Sequence, residues 1–435
     1  MVKVTLGIDI GSTNIKVAVF DITTNRLVEL HKRTTPKYVK ANVEYFDIEK
    51  IYQSVEEILQ VCQKQYSILA VSAASVGESV VPIFEDGSYK DPIVWYDNAT
   101  ANIAEEFWKK NDKGKVYEIT GLAPSHIYSI FKIKFVNEKL FNKAVLWLPI
   151  SSFILYKLGA EPCWDYSQAS RTSLLNVENL DWDDYLLEFA GLSRSNLPKL
   201  AYSGANIGFW KIKDNKIPIF LGAHDHIAGM FVIDKLYKKG DFIYDSMGTA
   251  ESFTILADKN LPLSSDDMDN NVNKGIYVTG THIYIQRSII LSGGLIDWLY
   301  KLFGLNGKDL KMGDSETNYF KMEVHNSSMG TSIDFIGVPY NAGPDSFLLS
   351  TINFISERSK EIVDYLKKKT NTNGAIFISG GLIMNPIVKE VKMKHFVDEE
   401  VFLLKSPELT AVGAALLGIE GLGIHTELNW DDYVN

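Results

Sequence analysis

Leu6-Gly7-Ile8-Asp9-Ile10-Gly11-Ser12-Thr13-Asn14, followed by Ile15-Lys16-Val17-Ala18-Val19-Phe20-Asp21, reads as strand, tight polar turn, strand. The other half of the chain repeats the arrangement. There Ile243-Tyr244-Asp245-Ser246-Met247-Gly248-Thr249-Ala250-Glu251 runs into Ser252-Phe253-Thr254-Ile255. In each turn glycine lets the backbone close on a polyanion, and successive amides and Ser/Thr hydroxyls suit phosphate oxygens. Two such hairpins predict a duplicated fold that grips one nucleotide triphosphate from both sides. No Gly-x-x-x-x-Gly-Lys-Ser/Thr occurs, which excludes a P-loop kinase.

Working outward, the runs 4–8, 15–20 and 27–33 read as three strands. An amphipathic helix follows, with Ile51, Val55, Ile58, Leu59 and Cys62 at helical spacing, and then a buried strand, Ile68-Leu69-Ala70-Val71-Ser72-Ala73. That makes one β-β-β-α-β unit. The second half begins near Ile217-Pro218-Ile219-Phe220-Leu221-Gly222 and repeats the logic, with hairpins over 242–255 and 275–286. A helix over 295–303 follows the breaker Ser292-Gly293-Gly294. The strand Ala375-Ile376-Phe377-Ile378 enters the turn Ser379-Gly380-Gly381. Small residues in Ala411-Val412-Gly413-Ala414-Ala415-Leu416-Leu417 predict a helix packed tightly on a neighbour. The expected division is 1–217 and 218–435.

The bulk numbers set limits. At 435 residues, 46% hydrophobic and 23% charged, the chain predicts two domains with substantial cores. No apolar run reaches the roughly 18 residues of a membrane span, and the first strand starts at once, so no signal peptide is expected. The two cysteines, Cys62 and Cys163, predict buried free thiols and a cytoplasmic setting. A net charge of −10 without a basic stripe argues against nucleic acid or an anionic membrane as partner.

With these segments in place, the chain resembles the FGGY family of carbohydrate kinases, in the actin/hexokinase/Hsp70 ATPase superfamily. The resemblance rests on six segments in order. They are Gly7-Ile8-Asp9-Ile10-Gly11-Ser12-Thr13; Gly77-Glu78-Ser79 with Pro92-Ile93-Val94-Trp95-Tyr96-Asp97; Asp165-Tyr166-Ser167-Gln168-Ala169-Ser170-Arg171-Thr172; Leu221-Gly222-Ala223-His224-Asp225-His226-Ile227-Ala228-Gly229; Met247-Gly248-Thr249-Ala250; and Ser379-Gly380-Gly381-Leu382-Ile383-Met384-Asn385-Pro386. It implies an α/β fold of two actin-like (ribonuclease H-like) domains with an interdomain cleft. Sugar would bind mainly to the N-terminal domain and ATP mainly to the C-terminal one. It also implies ATP and Mg²⁺ as cofactors and a small sugar, polyol or sugar acid as partner; dimers are common in families of this kind.

Residue by residue, Asp9 is expected to anchor Mg²⁺ through water, its plain alternative being an Asx-turn. Gly11, Ser12 and Thr13, and Gly248 and Thr249 from the other half, are the phosphate-binding candidates. Asp225 is the expected general base, taking the proton of a sugar hydroxyl, and a second Mg²⁺ contact. His224 and His226 flank it as substrate-binding candidates; strand geometry would turn them away from Asp225 unless the strand has already ended there, in which case one histidine could hydrogen-bond the sugar or Asp225. Glu78, Trp95 and Asp97 supply the aromatic face and carboxylates of a sugar pocket, with His126 a weaker candidate. Asp165 and Arg171 either reach substrate or pair to hold two loops together. Gly380, Gly381 and Asn385 would receive adenine or ribose.

Two departures from the family pattern stand out. Asn341-Ala342-Gly343-Pro344-Asp345 occupies the place of a Gly-x-Arg-like segment, and the short stretch from there to Gly380 reads as one helix, so the second domain looks trimmed. Asn98-Ala99-Thr100 follows Asp97 where an arginine is common. Two rivals stay open: a non-catalytic sugar or nucleotide sensor on the same fold, and another actin-like ATPase.

Overall fold

The protein is described by a computed structural model, in which residues 1–139, 143–289, 291–305, 319–327, 330–405 and 408–435 are described. It divides into two compact units. The first comprises Met1–Lys238, Ala257–Tyr284 and Glu408–Asp432; the second comprises Lys239–Leu256, Ile285–Pro407 and Tyr433–Asn435. The boundary expected at 217 falls inside the strand Asn215–His224, an inner strand of the first unit's sheet, and so is corrected. A strand with neighbours on both sides cannot end a domain.

In the first unit, Lys3–Ile10 and Asn14–Asp21 form an antiparallel hairpin, extended by Arg26–Thr34. Ser67–Ser75 lies parallel to the opening strand on one side and to Asn215–His224 on the other, and Asn206–Ile212 closes the six-stranded sheet. Seven of the eight residues of the opening strand are buried, as a strand covered on both faces requires. One face is covered by Ile48–Gln65, whose predicted apolar stripe is buried and whose start is capped by Asp47, accepting from the Lys50 amide at 3.1 Å. Between the third strand and this helix lies a small hairpin, Lys37–Lys40 with Val43–Phe46, which the β-β-β-α-β reading lacked. Its first strand is wholly exposed and its second buries only Val43 and Phe46, so no strong burial pattern marked it.

The small residues of the late helix Leu409–Gly421 do what their size predicts. A Cβ on Gly413 would stand 1.9 Å from the Ala228 carbonyl oxygen, and one on Gly7 2.0 Å from that of Ala411. Only hydrogen fits where the helix crosses the opening strand and the helix Asp225–Leu236.

In the second unit, Phe242–Met247 and Glu251–Ala257 form an antiparallel hairpin. Ala375–Ser379 runs parallel to the first of these strands, and Val401–Leu403 parallel to Ala375–Ser379. A hairpin flanked by a parallel strand thus occurs once in each unit. The stretch after Gly343 is one helix, Pro344–Thr370, of 27 residues. The helices Gly293–Phe303 and Pro386–His395 complete the part that bears on function. No helix among the described residues is long and apolar enough to cross a membrane. Cys62 and Cys163 are buried free thiols, and burial pushes them up to about 12 and about 11, so they stay protonated.

Candidate active site

The strand Asn215–His224 ends where a helix begins, and Asp225 is that helix's first residue. Strand alternation therefore stops at His224, the strand having ended as the second of the two expectations allowed, and the two histidines stay near Asp225. The His226 amide donates to Asp225 Oδ1 at 2.7 Å, and His224 Nε2 stands 3.2 Å from the same oxygen. Oδ2 has no hydrogen-bond partner among the described residues, and the side chain is 21% exposed. One oxygen is fixed and the other is free.

His224 is buried, and burial drives its pKa down to about 3, so the imidazole is neutral. Its ring lies over Gly77, where a Cβ would come within 3.0 Å of Nε2. Its amide donates to Ser167 Oγ at 2.9 Å, and Ser167 in turn donates to Asp165. Asp165 also caps the short helix Tyr166–Ala169 through the Gln168 amide at 2.9 Å. Burial pushes Asp165 up to about 6. Asp165 thus fixes a loop beneath the histidine and does not pair with Arg171.

Arg171 pairs with Glu78. Its Nε donates to Glu78 Oε1 at 2.7 Å, and Nη2 stands 2.6 Å from the same atom, both side chains being under 8% exposed. Glu78 adopts φ of 62°, a left-handed conformation that side chains avoid, so its placement is held by the surroundings. The Ser129 hydroxyl donates to its carbonyl at 3.1 Å. Trp95 is half-buried and donates from its indole Nε1 to Ser12 Oγ at 2.8 Å, joining the aromatic candidate to the turn that holds Gly11, Ser12 and Thr13. Asp97 is engaged by the main chain: Oδ2 accepts from the Glu44 amide at 2.8 Å and Oδ1 from the Ala99 amide at 2.7 Å. It is a helix cap and loop tie. His126 carries a buried Nε2 with no hydrogen-bond partner.

Asp9, one residue from the end of the opening strand, is 3% exposed and lies opposite Lys16 in the hairpin register. Lys16 Nζ stands 3.4 Å from Asp9 Oδ2 and 2.5 Å from Glu408 Oε2. Asp9 Oδ1 is buried without a hydrogen bond. Burial, with the nearby Asp225 charge adding to it, pushes Asp9 up to about 7 against the pull of Lys16. The turn itself is shaped by the Gly11 amide donating to the Asn14 carbonyl at 3.0 Å and by Thr35 Oγ1 donating to the Gly11 carbonyl at 2.8 Å. Thr13 is exposed. No group of three or more His, Cys, Asp or Glu among the described residues is placed to hold a metal ion.

In the second unit, Gly248 and Thr249 are exposed at the tip of the hairpin. Their carbonyls are drawn inward: Gly248 O accepts from the Gly293 amide at 3.2 Å, and Thr249 O from the Ser292 and Gly294 amides at 3.1 and 3.0 Å. Gly380 has φ of 116°, and a Cβ there would stand 2.0 Å from the Met247 carbonyl oxygen. At Gly381 a Cβ would meet nothing, so the space above it is open. Asn385 Oδ1 caps the helix Pro386–His395, accepting from the Ile387 amide at 2.9 Å.

Residues 4–232 match the FGGY family of carbohydrate kinases, N-terminal domain. The chain belongs to the FGGY family of carbohydrate kinases. It is an ATP-dependent sugar kinase. Among curated relatives, the glycerol kinase of Thermococcus kodakarensis is 25% identical over 452 residues, covering 96% of this chain and 88% of that one. Among solved structures, a ligand-bound xylulose kinase from Lactobacillus acidophilus superposes with a TM-score of 0.85 at 20% identity, covering 100% of this chain and 93% of that one. A gluconate kinase from the same organism gives 0.84 at 19%, with 100% and 93% coverage. The fold is the two-domain actin-like fold of these kinases.

Three residues that contact the candidate site of this FGGY kinase escaped the reading by motif. Lys16 was legible in principle, because its register opposite Asp9 follows from the hairpin itself. Glu408 was not, since it comes from the far end of the sequence. Lys132 is fully buried, donates to the Trp95 carbonyl at 3.1 Å, and is pulled down to about 8 by burial. An apolar helix context conceals it.

Proposed function

We propose that this kinase transfers the γ-phosphate of Mg-ATP to a hydroxyl, a primary one, of a small sugar such as a ketose, or of a polyol or sugar acid, with Asp225 as general base. The observation that carries the reading is the Asp225 carboxylate, fixed through Oδ1 and free at Oδ2. An acceptor hydroxyl is a poor nucleophile, and Oδ2 is the group that takes its proton as the phosphoryl group moves. Neutral His224 orients the carboxylate without neutralising it.

Asp9 and Asp225 would hold Mg²⁺, Asp9 through water. The fit rests on the buried Asp9 Oδ1 that lacks a partner and on the Asp225 carboxylate standing close enough to raise Asp9. When bound, the ion neutralises charge on the transferring phosphoryl group. Gly11, Ser12 and Thr13 would bind phosphate oxygens from the first unit. Gly248 and Thr249 would do so from the second, with Gly380, Gly381 and Asn385 receiving the nucleoside. Glu78, Trp95, His224 and His226 would line the acceptor pocket. Asp97 supports it as a main-chain tie. The named relatives act on a polyol, a ketose and a sugar acid, which matches the range proposed here.

The test is ADP release with Mg-ATP across ketoses, aldoses, polyols and sugar acids, with Asp225→Asn in parallel. One acceptor should give strong turnover, and the variant should lose about 10²–10⁴-fold while still binding ATP. Near-normal turnover in Asp225→Asn would sink the mechanism. ATP hydrolysis independent of every acceptor would favour another kind of actin-like ATPase.

A further inference from the structure

The second unit contains a charged cluster wholly removed from water. Lys392, Asp245 and Glu251 each have 0% side-chain exposure, and Lys392 Nζ stands 2.7 Å from Asp245 Oδ2 and 2.5 Å from Glu251 Oε1. Ser359 donates to Glu251 Oε1 at 2.7 Å, and Ser292 donates to Oε2 at 2.8 Å. The Phe253 and Phe396 rings lie 5.4 and 5.6 Å from the ammonium. Burying such a group is expensive, and apolar residues of similar volume often stabilise as well or better. A role beyond stability is therefore worth seeking.

The placement supplies one. Asp245 lies on one strand of the hairpin and Glu251 on the other, on either side of the turn at Gly248 and Thr249. Ser292 immediately precedes the amides of Gly293 and Gly294 that hold the turn's carbonyls. Lys392 lies on the helix that starts after Asn385, and Gly380 rests on the Met247 backbone. We propose that Lys392 is a positioning residue, a strut that fixes the phosphate turn at Gly248–Thr249 relative to the helix carrying the nucleoside end of the site.

The proposal rests on the nucleotide reading given above. Burial, opposed by Lys392, raises Asp245 above the usual carboxylate range. Replacing Lys392 alone would strand the Glu251 carboxylate. The test therefore uses the charge-compensated pair Lys392→Met/Glu251→Gln, with Lys392→Met alone for comparison. Dissociation constants for ATP, adenosine and the acceptor sugar are measured on the full chain, with near-UV circular dichroism to confirm the fold. The folded double variant should bind ATP about 10-fold more weakly or worse, because a displacement of about 1 Å is costly. Adenosine and acceptor should bind within about 2-fold of the parent, a split that a general loss of stability does not produce. Unchanged ATP affinity in the folded double variant, or equal weakening of all three ligands, would overturn the proposal. Thr249→Ala separates the two layers. If it loses ATP affinity while the Lys392 variants do not, the positioning role falls and the nucleotide reading stands. If it loses none, both fall.

Discussion

The two hairpins share a pattern, an acid shortly before a Gly-Ser/Thr turn, and put it to opposite uses. In the first, Asp9 faces Lys16 across the hairpin, keeps a buried oxygen without a partner, and lies close enough to Asp225 to feel its charge. In the second, Asp245, whose Oδ1 is likewise buried without a hydrogen bond, is sealed beneath the turn against Lys392. The same residue type near the same turn thus sits beside a partly exposed cation and, as proposed, an exchangeable metal ion in one unit, and is enclosed with a buried cation in the other. What differs is the cation. Lys16 comes from the hairpin's own second strand and is 18% exposed, whereas Lys392 comes from a distant helix and is fully buried.

That contrast is easiest to break by neutralising each acid in turn. Asp9→Asn should lower turnover at saturating ATP by about 10²-fold, the scale of a displaced charge partner in phosphoryl transfer, with little change in melting temperature. Asp245→Asn should keep turnover at saturating ATP within about 3-fold, because the acid it replaces is already raised towards the neutral form. Equal losses in the two variants would erase the distinction.

The neutral histidine of the first unit gives a pH signature. The folded His224 takes a proton only near pH 3, the unfolded one near 6.5. Between those values the unfolded chain binds more protons, so this group's contribution is complete above pH 6.5 and is lost as pH falls towards 3. Asp9 and Asp165, raised to about 7 and about 6, act in the opposite sense over an overlapping window. The comparison that isolates His224 is therefore parent against His224→Asn, by urea unfolding from pH 4 to 7. The variant should lose up to about 1.4 kcal/mol of slope per pH unit. Parallel profiles would show that the imidazole titrates normally.

A further expected effect concerns packing within the first unit. Gly413→Ala must push the helix off the Ala228 carbonyl and should cost about 1–3 kcal/mol in chemical unfolding. No loss would mean that the helix has slack.

Much of this was legible because it is local. The alternation of apolar residues around Asp9 and Asp245 gives hairpins, the spacing of Ile51, Val55, Ile58 and Leu59 gives a helix, and the small residues from Ala411 to Ala415 announce close packing. Period and side-chain size are properties of neighbours in the chain. The candidate acids and glycines were legible for the same reason, since each sits in a short motif. What the sequence could not order is anything decided by partners far apart in it. The first unit takes back Glu408–Asp432 after the second has been built, so no boundary near 217 exists. Asp97 is spent on main-chain amides, Arg171 pairs with Glu78 in place of Asp165, and His224 turns towards Asp225 because the strand gives way to a helix between them. Lys392 reads as one lysine of a surface helix until burial places it between two acids. Local pattern determined the elements and the motifs; only tertiary packing, through burial and the pairing of charges it forces, decided which residues are free to react and which are structural ties.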